Sequence, residues 1–157
     1  MWTVIESPVG DLRLVVHEGA LTAIEFAPFA ERHVLGERDD THPLLVETAR
    51  QLAAYFDRDL KEFELPLAPV GSDFQQRVWA ELGRIGYGET ASYGQVATRL
   101  GMTAAASRAV GLANGRNPIP IVVPCHRVIG ANGTLTGYAG GLPRKQLLLE
   151  LESDALF

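Results

Sequence analysis

The residues best equipped for covalent chemistry stand together in Asn117-Pro-Ile-Pro-Ile-Val-Val-Pro-Cys-His-Arg-Val-Ile-Gly130, which carries the only cysteine of the chain, Cys125. A thiol reacts as its thiolate, and a neighbouring base or cation lowers the pKa that governs how much thiolate is present. His126 is such a base and Arg127 such a cation. A lone cysteine in an apolar run is ordinarily a small buried hydrophobe. Two polar residues directly after it point instead to reactivity. In an extended chain neighbouring side chains face opposite ways. The expected route from thiol to imidazole is therefore a relay through water, with a carboxylate elsewhere orienting the ring.

Elements must position that thiol. Pro118, Pro120 and Pro124 bias Asn117, Ile119 and Val123 towards extended backbone. They also withhold three backbone donors, which argues against a central strand. The expectation is a stiff, buried approach through Ile121-Val-Val that ends at Cys125. Upstream, Ser92-Tyr-Gly-Gln95 has the form of a capping box and predicts a helix to Leu100 that buries Val96 and Leu100. Gly101 suits a tight turn, and Thr103 is placed to cap a second helix through about Leu112. Two short helices around a glycine turn read as helix-turn-helix. The second, Ala104-Ala-Ala-Ser-Arg108-Ala-Val-Gly, is smooth around a single arginine. Such a face approaches a sugar-phosphate surface closely, yet offers few groups able to read base edges.

Charge is divided along the chain. Its formal net value is −5, but residues 1–70 hold thirteen acidic residues against six basic ones. No acidic residue lies between Thr90 and Leu149, where Arg99, Arg108, Arg116, Arg127, Arg144 and Lys145 stand. Such a stretch predicts a phosphate-facing surface.

The first half reads as architecture. Trp2–Ile5 and Leu12–Val16, joined through Ser7-Pro-Val-Gly-Asp11, predict a hairpin, with a third strand over Ala20–Phe26. Residues 28–42 predict a loop with a short helical piece. Pro43–Arg58 predicts an amphipathic helix with Leu44, Leu45, Ala49, Leu52, Ala53 and Phe56 inward, and Phe63–Leu67 a last short strand. A domain boundary is expected near Pro66–Ser72, then a helix from Ser72 presenting Phe74, Val78, Trp79 and Leu82 and stopped by Gly86 and Gly88. The 157 residues, 46% hydrophobic and 21% charged, suit a soluble globular chain of one or two domains. One cysteine excludes an intrachain disulfide and a Cys-rich zinc site, and His17, His33, His42 and His126 lack ligand spacing, so no metal is expected. No signal peptide or membrane span is visible, and a reducing cytoplasm is the expected compartment.

Pro124-Cys-His-Arg-Val-Ile-Gly130, preceded by Asn117-Pro-Ile-Pro120 and followed by Gly137-Tyr-Ala-Gly-Gly141, resembles the active-site signature of the O6-alkylguanine-DNA alkyltransferases, also called methylated-DNA–protein-cysteine methyltransferases. The likeness covers roughly residues 72 to 152. It implies an α/β protein. A small N-terminal antiparallel-sheet-plus-helix domain, ribonuclease H-like, spans 1–70. A mainly helical C-terminal domain with a winged-helix-like helix-turn-helix spans 71–157. It further implies DNA repair by direct, irreversible transfer of an alkyl group from O6-alkylguanine to Cys125, with O4-alkylthymine a second candidate lesion and no cofactor. The partner is double-stranded DNA, bound by a monomer, with cooperative binding as the alternative.

By the same resemblance His126 deprotonates Cys125 through water, Glu152 orients His126, and Tyr93 donates a proton towards the guanine. Arg108 fills the gap left by a flipped nucleotide, on a DNA-binding surface with Ser92, Thr103, Ala106 and Ala109. Asn117 and Pro120 shape the turn into the cysteine segment, and Val128 and Ile129 support it. Tyr138, Ala139 and Gly140 wall the guanine pocket, with Lys145 behind them. Ala139 stands where some members carry serine, and Ser107 where alanine is usual. Three rival readings fit the residues less well. A non-catalytic lesion binder would lack Cys125, a DNA-binding regulator would need a less bare second helix, and a thiol hydrolase would need an oxyanion hole.

Overall fold

The computed structural model describes residues 1–31, 36–138 and 140–153, folded as two compact units, Met1–Val70 and Gly71–Phe157. In the first, β1 (Trp2–Ile5), β2 (Leu12–His17) and β3 (Ala20–Phe26) form an antiparallel sheet in that order. Trp2 pairs with Val15 and Leu12 with Phe26, and a bulge falls between Val15 and Val16. The helix α1 (Pro43–Phe56) packs on β1 and β2. Proline suits its first turn, where an amide would lack a partner, and the His42 ring accepts from the Leu44 amide at 3.2 Å. Buried Leu12, Leu14, Leu21 and Ile24 meet this core together with Leu45, Leu52 and Tyr55.

Several expectations for this unit need correction. The inward stripe of α1 carries Leu45, Thr48, Gln51, Leu52 and Tyr55, whereas Ala53 is exposed, and the helix stops at Phe56, short of Arg58. Residues 63–67 form no strand. Gln51 bonds the Glu64 amide and carbonyl at 2.9 and 3.1 Å, and only a bridge between Leu21 and Leu67 joins the sheet. One buried side chain thus does part of what a ladder would have done. In the loop after β3 the described residues contain no helix; Arg32, His33 and the rest of 32–35 lie outside them.

The second unit is mainly helical. α2 (Asp73–Leu82) begins at a complete Ser72/Gln75 capping box and ends at Gly83, ahead of Gly86. Its Phe74 is only half-buried, while Val78, Trp79 and Leu82 are buried. α3 (Tyr93–Arg99) begins at a second capping box, Ser92/Gln95, as the sequence predicts. Gly101 turns the chain at φ +78°. A 3₁₀ turn over Ala104–Ala106 leads into α4 (Ser107–Gly115), which runs three residues beyond the expected end at Leu112. Thr103 precedes the 3₁₀ turn but makes no side-chain capping bond, and Leu100 is half-buried at the end of α3. α2 packs against both helices of this pair, and the Trp79 indole donates to the Ala113 carbonyl at 2.9 Å.

Two short strands, β4 (Ala91–Ser92) and β5 (Val128–Ile129), pair in parallel. They tie the entry of α3 to the residues just after the cysteine. The last helix, α5 (Leu142–Glu152), starts at Gly141 with φ +87°. Among the described residues no helix is long and apolar enough to cross a membrane.

Candidate active site

The cysteine segment is folded, not extended. Asn117 holds it from inside. Its amide nitrogen donates to the Val123 carbonyl at 2.7 Å and its oxygen accepts from the Ile119 amide at 3.0 Å. Between these points Val123 bonds back to Ile119 at 2.9 Å, and Ile121 takes φ +74°. A β-branched residue in that region costs about 1–3 kcal/mol. The burial of Ile119, Ile121 and Val123 offsets it.

Pro124, at φ −81° and ψ 64°, closes an inverse γ-turn in which the Cys125 amide donates to Val123 at 2.8 Å. Cys125–Arg127 then forms one 3₁₀ turn. The prolines withhold donors as expected, but the backbone bends back on itself instead of forming a stiff, extended approach. Consecutive side chains on a 3₁₀ turn diverge by about 120°, so Cys125 and His126 are not on opposite faces.

Around that turn the chain gathers a buried polar group. Cys125 is 3% exposed, and burial pushes its thiol up to about 11, with the Asn117 hydrogen bond and the Lys145 charge pulling down. His126 Nε2 lies 2.7 Å from Glu152 Oε2. Arg127 grips the same carboxylate through Nε at 2.8 Å and Nη2 at 3.0 Å, and its Nη1 donates to the Ile85 carbonyl at 2.6 Å. A carboxylate in that bidentate grip is ionised and can only accept. The proton between His126 and Glu152 therefore belongs to Nε2, leaving Nδ1 with its lone pair. Burial lowers the pKa of His126 against the pull of Glu152, keeping the ring neutral. Nδ1 is buried with no hydrogen-bond partner among the described residues. A neutral imidazole with an oriented, unoccupied nitrogen is a base.

Lys145, on α5, is fully buried, and its ammonium donates to the Val128 carbonyl at 2.5 Å and to Thr136 at 2.8 Å. Burial lowers its pKa, with the nearby thiol opposing. Tyr138 is buried within electrostatic reach of Cys125, and its phenol is raised well above the usual value, chiefly by burial. The structure thus brings Cys125, His126, Glu152, Asn117, Val128, Tyr138 and Lys145 together. Pro120 is buried in the loop before them, and the Gly140 carbonyl accepts from Arg144 at 3.2 Å. Ala139 lies outside the described residues.

Tyr93 opens α3 and meets a different neighbour. Its hydroxyl accepts from Thr136 Oγ1 at 3.1 Å. Ser92 is spent on the Gln95 amide at 3.1 Å. Thr103, Arg108 and Ala109 are exposed on the helix pair, and Ala106 is half-buried. The six cations expected to face phosphate divide differently. Arg99, Arg108 and Arg116 are exposed and Arg144 is half-buried, whereas Arg127 is 6% exposed and Lys145 fully buried, so neither of these last two belongs to a surface.

Sequence reasoning missed the clamp that Arg127 puts on Glu152, because a charge count carries no depth. It also missed Asn114 on α4, whose amide donates to the Cys125 carbonyl at 3.3 Å, and nothing in the local pattern signals that contact.

Comparison with known proteins covers both units. Residues 1–69 match the model of the 6-O-methylguanine DNA methyltransferase ribonuclease-like domain, and residues 73–154 that of the DNA binding domain. A methylated-DNA–protein-cysteine methyltransferase from Methanosarcina acetivorans is 49% identical over 154 residues, covering 98% of each chain. One from Mycobacterium tuberculosis is 50% identical over 153 residues, covering 96% of this chain and 90% of its own. The crystal structure of Mycobacterium tuberculosis OGT in complex with DNA superposes with a TM-score of 0.90 at 48% identity, covering 96% of this chain and 92% of that one. With both units matched and close to half of the residues shared along nearly the whole length, the chain belongs to the 6-O-methylguanine DNA methyltransferase family.

Proposed function

We propose that the chain repairs DNA by moving the alkyl group of O6-alkylguanine onto Cys125, once per molecule. The observation that carries this is the buried Cys125, His126 and Glu152 array in a unit that also presents a helix pair without acidic residues. The lesion lies inside a duplex, so the nucleotide is turned out of the stack at a cost of a few kcal/mol. Arg108, exposed on α4 among small side chains, occupies the gap, and the residues around it face the backbone.

The thiol stays protonated while buried. When guanine arrives, its proton passes through water to His126 Nδ1, and Glu152 balances the imidazolium. Sγ attacks the alkyl carbon; the S–C bond forms, the C–O6 bond breaks, and the electron pair leaves on guanine. Tyr93 supplies a proton to that leaving base and recovers one from solvent. Tyr138 and Gly140 wall the base, with Lys145 fixing the Val128 and Thr136 carbonyls behind them. A thioether has no activated bond for water to attack, and the chain has no second cysteine to take the group on.

Residues 1–70 serve as an architectural domain, and residues 71–157 carry DNA binding and transfer. The compartment is the cytoplasm, where a lone thiol stays reduced. Mass spectrometry after incubation with excess methylated duplex is expected to find a single adduct on Cys125, and continuing turnover would overturn the reading. Cys125→Ala is expected to abolish repair while leaving DNA binding intact.

A further inference from the structure

Asn114 is 2% exposed near the end of α4, and its Nδ2 donates to the Cys125 carbonyl at 3.3 Å. Only the nitrogen of an amide can face a carbonyl oxygen, so the orientation of the side chain is fixed. The oxygen, Oδ1, is left buried with no hydrogen-bond partner among the described residues. His126 Nδ1 is in the same condition. One acceptor belongs to the side chain that bonds the carbonyl of the Cys125–His126 peptide unit and the other to the residue that follows it, and neither can satisfy the other, since both lack a hydrogen. A water molecule supplies two hydrogens and accepts a third from a thiol, which gives it the three partners a buried water ordinarily has.

We propose that Asn114 is a positioning residue for proton transfer, its Oδ1 and His126 Nδ1 together holding the water that takes the proton from Cys125. The inference rests on Cys125 being the alkyl acceptor, as proposed above. It also gives the helix that carries Arg108 a direct hold on the nucleophile, six residues further along the same chain segment. The charged groups that act on His126 are Glu152 and Arg127 beside it and Lys145 from α5, and Tyr138, from the loop before α5, lies within electrostatic reach of Cys125, Glu152 and Arg144.

The test uses Asn114→Leu, which keeps the volume and removes both hydrogen-bonding atoms. Single-turnover methyl transfer from a duplex with one O6-methylguanine is followed at saturating DNA from about pH 6 to about pH 9. At neutral pH the variant is expected to be about tenfold slower or more. The gap is expected to narrow as pH rises, because thiolate then forms without the relay. An unchanged rate, or a deficit that does not narrow, overturns the proposal, since a merely structural amide would cost the same at every pH.

Should Asn114→Leu not fold, the unsubstituted protein with nitrogen-15 histidine decides, its His126 signals assigned through His126→Gln. A resonance of a hydrogen-bonded acceptor is expected for Nδ1, and that of an unbonded nitrogen overturns the water. If the unsubstituted chain transfers no methyl at all, the proposed function fails, a result separate from either of these.

Discussion

Glu152 receives hydrogen bonds from His126 and Arg127 while being 1% exposed. Its charge is affordable there only because Arg127 is beside it. Glu152→Gln removes that charge, leaves Arg127 buried without a counter-ion and frees His126 to take either tautomer. Urea denaturation is expected to show a loss of about 3–5 kcal/mol. Single-turnover transfer is expected to fall by about a hundredfold, the lower end of what a general base contributes. The neutral state of His126 has its own signature. Its folded pKa lies below the unfolded value, so between those two values the unfolded chain binds the extra proton and stability falls as pH is lowered. Above about pH 6.5 both states are neutral and the contribution is constant. Melting as pH falls below about 6.5 is expected to show a decline of at most about 1.4 kcal/mol per unit. His126→Gln is expected to flatten that part of the profile; an equal slope in both proteins would place the titration elsewhere.

Among elements, those governed by local rules were the legible ones. The β1–β2 hairpin, the Ser92/Gln95 cap and the turn at Gly101 follow from turn and capping chemistry read within a few residues. The cysteine segment was not, although its prolines fix φ, because the direction of the chain is set by Asn117 reaching Val123 and by Ile121 in an unfavoured region. The end of α4 was misjudged for a similar reason. The helix passes the expected end at Leu112 because Val110, Ala113 and Asn114 bury one face to its last turn. Cys125 and His126 stand in the motif and Glu152 came only through the resemblance, whereas the Arg127 clamp depends on depth. On α4 itself, Arg108 is exposed and the residue before it, Ser107, is tied to the Ala104 carbonyl. Arg108→Ala is therefore expected to leave stability within about 0.5 kcal/mol. It is expected to slow transfer from duplex DNA by about tenfold or more, the part of the extrusion cost one wedge can offset. Transfer from the free alkylated base needs no extrusion and is expected to be unchanged; an equal loss on both substrates would make Arg108 part of the pocket.

At the scale of the molecule the charges are segregated along the sequence, thirteen acidic residues against six basic ones in 1–70 and none acidic from Thr90 to Leu149. Depth then thins the basic side. Of its six cations, Lys145 is used on backbone carbonyls and Arg127 on Glu152, and Arg144 is half-buried beside the Gly140 carbonyl. Arg99, Arg108 and Arg116 remain exposed. Each phosphate neutralised contributes about −0.9 to the slope of log affinity against log salt. On unmodified duplex, where no flipped nucleotide leaves a gap for Arg108, all three arginines face phosphate and give a slope of about −3, where six would give about −5. Filter binding or anisotropy across a salt series distinguishes the two. Arg116→Ala is expected to make the slope shallower by about one unit and to weaken binding alike for every sequence, as loss of a phosphate contact does. A slope of −5 or steeper in the unsubstituted protein would mean that cations outside this trio face the backbone, and that the two buried ones do not describe the DNA-bound state.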